Sequence, residues 1–355
     1  MTGTAVESWP VAGHQAAVAQ LRRALAGGHL AHAYLLIGPP QVGKATLARL
    51  FAQALNCQGA PDTLDGDAQR APDVPCGRCR PCRLIARGTY PDVDWYNLAR
   101  QAADPEQQGR VNKELSIATI RALQSSLSLR PYESRWRVAV VEDADTLSLP
   151  AANALLKTLE EPPPYAVILL LAADPGSMPQ TILSRVQSIP LRPLSRADVA
   201  AALRAQGIAE DQATLLAAIS GGRLGWAFET AAHPDRLTER AELLDALARL
   251  PAADLPARFA FAAEWAGRFS SDRQSVFDIM IQLAIWWRDM LVVRVGCPDL
   301  VQNTDRLAAL EQSAAPFTPR QIGAFLSAVT ATQEQLEQNV SPRLALESLL
   351  LAMPG

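Results

Sequence analysis

The stretch AYLLIGPPQVGKATLA, residues 33–48, decides the fold. Ala33–Gly38 is an apolar run of strand length that ends in glycine. From Lys44 onward, Leu47, Leu50, Phe51 and Leu55 recur at spacings of three and four, which predicts a helix to about Asn56. Strand, glycine loop and helix form the context in which G-x-x-x-x-G-K-[ST] binds phosphate: backbone N–H groups face the oxygens and a lysine adds charge. Gly38, Gly43 and Lys44 satisfy the pattern, but Ala45 stands where a hydroxyl should hold Mg²⁺. Thr46 comes one position late and, rotated by about 100° on the helix, is a poor substitute. Residues 38–46 therefore read as a loop able to hold ATP or ADP, with Mg²⁺ poorly served. The alternative is a glycine turn without a ligand.

Outward from this loop, DVDWYNL (92–98), WRVAVVED (136–143), AVILLLAA (166–173) and residues 187–191 read as strands. Helical patterns lie between them. SIATIRALQSSL (116–127) opens on a Ser cap, Leu149, Ala152, Leu155, Leu156 and Leu159 form a stripe, and a short helix is expected near 178–185. This alternation implies a parallel α/β sheet. Residues 57–92 are rich in Pro, Gly, Cys and charge and read as an insertion, and 100–114 as a polar loop. From Pro193 only helices are expected, at 195–206, 210–219, 223–232 and 235–249 and then from Pro256 on, the last starting at Ser341-Pro342. Pro251 separates a small helical domain from a larger one.

Composition narrows the class. The chain has 355 residues, 49% apolar and 19% charged, with a net charge of −3, which argues against coating nucleic acid by charge alone. Its longest apolar run is too short to span a bilayer, and MTGTAVESWP carries no secretory pattern, so a cytoplasmic protein is expected. Of five cysteines, Cys57, Cys76, Cys79 and Cys82 form C-x₁₈-C-x₂-C-x₂-C, a set that can enclose a structural Zn²⁺ tetrahedrally. Cys297 reads as a small structural side chain, and Trp286-Trp287 as helix packing.

Two further elements carry chemistry. Glu142-Asp143 ends a strand, where phosphoryl transfer needs one carboxylate near the metal and one to orient water; the usual Asp-Glu order is reversed. Ser184-Arg185 follows a short helix in TILSRVQSI, and Arg185 could act in its own site, in a neighbour's, or in none.

Together these residues resemble the clamp-loader branch of the AAA+ ATPases, the delta-prime and gamma/tau subunits of bacterial DNA polymerase III. The resemblance rests on VAGHQAAVAQLRRAL (11–25), LAHAYLLIGPPQVGKATLA (30–48), the four cysteines, NALLKTLEEPPP (153–164), TILSRV with Val186 in place of a Cys, and NVSPRLALESLLL (339–351). It implies a RecA-like AAA+ domain with a zinc module (1–192, module 57–92), a helical lid (193–250) and a helical collar (251–355). It further implies a hetero-pentameric ring with gamma/tau and delta subunits that loads a sliding clamp onto primed DNA, with Arg185 reaching a neighbour's ATP. Ala45, the reversed carboxylates, Ala173 in LAADPG in place of a polar sensor, and a lid arginine not placeable in SGGRLGW (220–226) depart from gamma/tau in the direction of delta-prime. A gamma/tau-type ATPase that hydrolyses ATP itself is the alternative.

Overall fold

The computed structural model describes residues 9–59, 73–104, 114–174, 176, 178–338 and 340–355. Five strands form one sheet: β1 (Ala33–Ile37), β2 (Val93–Tyr96), β3 (Arg137–Val141), β4 (Ala166–Ala172) and β5 (Gln187–Pro190). All pairings are parallel, in the order β2-β3-β4-β1-β5, with Leu35 opposite Leu170 and Ser188. β4 is buried along all seven residues, as its unbroken apolar run requires of a strand covered on both faces.

The helices of this part are α1 (Gln15–Gly27), α2 (Lys44–Asn56), α3 (Arg80–Ala86), α4 (Leu98–Ala102), α5 (Ile117–Ser128), α6 (Leu149–Glu160), α7 (Gln180–Leu183) and α8 (Arg196–Ala205). Strand side chains alternate between faces. Tyr34, Leu36, Val138, Val140 and Leu169 meet Leu21, Leu47, Phe51 and Ile85 of α1–α3. Leu35, Ala139, Val141, Ile168 and Leu170 meet Ile120, Leu123, Leu155, Leu159 and Ile182 of α5–α7. The chain therefore leaves β1 toward one face and β4 toward the other. Their carboxyl ends, side by side, form the switch point at which open α/β sheets bind ligands.

Several boundaries differ from the sequence pattern. The strand expected over 92–98 stops at Tyr96 because the Asn97 side chain accepts the Arg100 N–H and caps α4. Part of the expected polar loop 100–114 is thus helix, and residues 105–113 lie outside the described residues. Ser116 does cap α5, accepting the Thr119 N–H. Leu149, expected in the buried stripe, is 69% exposed at the first turn of α6. Ser341 stands at the cap of the last helix but makes no side-chain cap bond, so only Pro342 marks that start.

The chain divides into two compact units, Met1–Ala202 with Gly222–Gly225, and Leu203–Gly221 with Trp226–Gly355. The second unit is helical: α9 (Glu210–Ile219), α10 (Leu224–Ala232), α11 (Asp235–Arg249), α12 (Leu255–Ser271), α13 (Arg273–Arg294), α14 (Leu307–Ala314), α15 (Pro319–Glu337) and α16 (Pro342–Leu351). Trp286 and Trp287 of α13 are buried against partners that include Phe317 and Phe325. The buried Arg258 donates to the carbonyls of Pro251, Leu350 and Met353, tying α16 to α12. Cys297 is exposed, contrary to a packing role. Among the described residues no helix is long and apolar enough to cross a membrane.

Candidate functional site

The loop after β1 lies at the switch point. Gly38 must be glycine because a Cβ there would sit 2.3 Å from the Leu191 carbonyl oxygen. Gly43 caps α2 with φ of 116°, a conformation that favours glycine. His14 braces the loop through Nε2, 2.9 Å from the Val42 oxygen, and the Gly225 N–H donates to the Gln41 carbonyl. The Lys44 ammonium donates to the carbonyls of Gly38 (2.5 Å) and Pro39 (3.0 Å). Ala45 and Thr46 occupy the first turn of α2, with Thr46 facing solvent.

Opposite Lys44 stands a group of carboxylates at the end of β3. Burial pulls the Lys44 ammonium below its usual range, while the charges of Asp145 and Asp143 pull the other way. Burial pushes the Asp143 carboxyl up, helped by Glu142 and Asp145 and opposed by the Leu98 N–H and Lys44. Asp143 takes φ of 55° and Asp145 accepts the Ala173 N–H at 2.8 Å, so Ala173 stands beside the loop without a polar side chain. Glu142 takes a different environment. Its Oε2 accepts from Asn97 Nδ2 at 2.8 Å, and both line a cavity of 520 Å³ along the edge strand β2 with Arg49, Trp95 and Arg100. The two neighbouring carboxylates of the sequence are thus divided between two surroundings.

Sequence reasoning missed Asn97, Asp145 and His14. Asp145 was visible as the third acid of EDAD; nothing local marked Asn97 or His14, whose roles depend on strand order and loop packing.

Arg185 stands apart from this group, just beyond α7. It donates to the Thr181 carbonyl (3.0 Å) and the Ser184 hydroxyl (3.1 Å) and pairs with Glu160 at 2.8 Å, with its side chain 36% exposed.

The four cysteines converge as their spacing implied, with all four sulfurs within 4.8 Å of one another. A tetrahedron with metal–sulfur bonds near 2.3 Å has sulfur–sulfur edges of about 3.8 Å, and Cys57 and Cys79 lie 3.9 Å apart. N–H groups of Cys76 and Cys79 donate to the sulfurs of Cys57 and Cys76. A hydrogen bond from Cys82 holds the Cys57 thiol down to about 5, and that same bond, then burial, pushes Cys82 up. Four thiolates cannot share so small a space without a compensating cation, so this donor set fits a closed structural metal site.

Comparison with known proteins places these features. The family model described as DNA polymerase III, delta subunit matches residues 13–195, and one described as its C-terminal part matches 234–354. The chain belongs to this family. The DNA polymerase III subunit delta′ of Bacillus subtilis is 28% identical over 91% of this chain and 91% of that protein. The tau/gamma subunit of Haemophilus influenzae is 33% identical over 53% of this chain, a span covering 24% of that longer protein. A solved structure of a gamma subunit-related protein from Thermotoga maritima covers 94% of this chain and 97% of its own at 17% identity, with a TM-score of 0.36. The matched spans cover most of both units of the chain, the parallel α/β unit and the helical unit.

Proposed function

We propose that this chain is a ring subunit of a cytoplasmic clamp loader that completes a neighbour's ATP site and turns over little ATP itself. In this reading it assembles with gamma/tau-type and delta-type subunits into a hetero-pentamer that places a sliding clamp on primed DNA. The observation that carries it is the contrast between the two sides of the AAA+ unit. On its own side the loop keeps Gly38, Gly43 and Lys44 but has Ala45 where a metal hydroxyl belongs, and Glu142 is bound to Asn97. Beyond α7, the Arg185 side chain is 36% exposed and held by Glu160, and it would exchange that ion pair for a neighbour's phosphate when acting in trans.

ATP or ADP would lie against the loop amides and Lys44, without a metal ligand from position 45. Arg185 would place its guanidinium on the phosphate of the nucleotide in the adjacent subunit, where charge spreads over the oxygens in the transition state. Trans arginines of this kind contribute ~10³–10⁵ in rate. The four cysteines would hold a structural Zn²⁺ that fixes the start of α3 to the end of α2.

The test is steady-state ATP turnover by the loader reconstituted with its gamma/tau-type partner. Arg185→Ala should lower turnover by roughly tenfold or more with assembly intact. Unchanged turnover would remove Arg185 from the neighbour's site. The 33% identity to a tau/gamma subunit and the retained Lys44 favour a second reading, a subunit that hydrolyses ATP itself. That reading requires robust turnover by the isolated chain, abolished in Lys44→Ala.

A further inference from the structure

The helix that carries the last metal-site cysteine displays arginine on its outer side. Arg80 and Arg83 of α3, with Arg87 at its C-cap, are three and four residues apart and share one side of the helix. Arg78 precedes them, and all four are exposed. The inner side buries Pro81, Cys82 and Ile85. Metal site and arginine face are thus two sides of one short helix.

Beside α3 lies the loop LRPYESRW, residues 129–136, joined to it by the Arg80–Glu133 ion pair. The loop adds exposed Arg130 and Arg135, and its Tyr132 is 83% exposed. A ring so open stabilises nothing within the fold. Yet its backbone is held firmly: the buried Asp92 accepts the N–H groups of Tyr132 (2.7 Å), Glu133 (3.0 Å) and Ser134 (3.1 Å) and the Ser134 hydroxyl (2.8 Å). Tyr132 is therefore presented on a fixed support, and little ordering is left to oppose binding.

Charge is segregated on this face. Residues 73–90 and 129–136 hold the arginines 78, 80, 83, 87, 130 and 135 against two carboxylates, Asp73 and Glu133. Asp73 pairs with Arg22 and Glu133 with Arg80. Arg78, Arg83, Arg87 and Arg130 have no ion-pair partner among the described residues, in a chain whose net charge is −3.

We propose that this face binds single-stranded nucleic acid, the arginines meeting phosphates while Tyr132 stacks on an unpaired base. A cationic surface alone would accept any polyanion. The open aromatic ring beside it favours a strand whose base faces are free, because base–ring stacking is sequence-tolerant and requires unstacked bases. This surface shares no residue with the loop of Gly38 or with Arg185, so the proposal stands or falls separately from the proposed function.

The experiment uses the full-length, metal-loaded chain and a fluorescein-labelled oligo(dT) strand, followed by fluorescence anisotropy between about 50 and about 200 mM salt. Each phosphate neutralised on a single strand contributes about −0.7 to the slope of log affinity on log salt, so four arginines predict a slope near −3 and a loss of about 50-fold over that range. The triple variant Arg78→Gln/Arg83→Gln/Arg87→Gln should flatten the slope by about 2. Tyr132→Ala should weaken binding about tenfold with the slope unchanged, and should leave duplex binding of the same length unmoved. Metal content and far-UV circular dichroism establish that each variant is folded. Absence of binding in low salt, or a triple variant with the parent slope, overturns the proposal. So does displacement by poly-glutamate with no effect of Tyr132→Ala, which would assign the face to an acidic polypeptide.

Discussion

The guanidinium of Arg185 lies 2.8 Å from the carboxylate of Glu160, and both side chains are open to solvent. Glu160 ends α6 within NALLKTLEEPPP and Arg185 follows α7 within TILSRV, so the fold brings two of the most distinctive stretches of the sequence together. Exposed ion pairs contribute about 0–1 kcal/mol. Arg185→Ala and Glu160→Gln should therefore leave the urea midpoint nearly unchanged, while Arg185→Ala alone cripples turnover in the assembled ring. Arg185→Lys should restore little, since an ammonium lacks the planar fork that engages two phosphate oxygens. A large drop in stability for Arg185→Ala, with loss of assembly in proportion, would make the residue structural.

Much of this architecture was legible beforehand because it follows from short-range pattern. β4 is an unbroken apolar run, α2 repeats at three and four, and the spacing of the four cysteines foretold that their sulfurs would converge. What stayed hidden depends on distant parts of the chain. Glu142 and Asp143 are adjacent in sequence, yet the left-handed backbone at Asp143 turns one toward Lys44 and leaves the other to Asn97, the cap of α4 after a different strand. Leu149 matched the helical stripe but sits at the first turn of α6, beyond the sheet that covers the rest.

The carboxylates near Lys44 predict a pH effect with a definite sign. Burial, with Glu142 and Asp145, holds the Asp143 carboxyl above its ordinary 3.8. A group bound more tightly to its proton in the folded state stabilises it below 3.8 and loses that contribution as pH rises through the raised value. Asp143→Asn removes this disadvantage and keeps a residue tolerant of φ of 55°. Asp143 is exposed and its charge is screened by solvent, so the gain in stability at neutral pH should be small, and it should vanish as pH falls toward 3.8. Urea unfolding at several pH values measures it, and a variant less stable at neutral pH sinks the idea.

Metal removal should act on α3 before it acts on the sheet. The purified chain should carry one zinc, released in step with titration of four thiols by a mercurial reagent. Cys82 is fully buried within the cluster, so Cys82→Ser should lose the metal and lower the melting temperature. Cys297 is exposed and distant in sequence, and Cys297→Ser should change neither metal content nor stability. A chain that holds its metal after Cys82→Ser would mean that the four sulfurs do not form one site.

Asp92 supplies the sharpest stability test. It is buried at the foot of β2 and accepts from three consecutive loop amides, the Ser134 hydroxyl and, at 3.2 Å, the Arg137 guanidinium. Burial works to raise its carboxyl, but the Glu133 and Tyr132 amides, the Ser134 hydroxyl and Arg137 together hold it below 3.8. A lowered acid stabilises the fold fully above the unfolded value of 3.8 and loses that contribution as pH falls through the folded one. Asp92→Asn keeps the shape but turns an NH₂ group toward these donors and leaves Arg137 to Asp94 alone among its ion pairs. It should cost about 3–5 kcal/mol at neutral pH. The gap between parent and variant should stay constant down to 3.8 and close only below it. Urea unfolding of both across that range checks the sign, and a gap that widened on acidification would show that the carboxylate is not the group holding the loop.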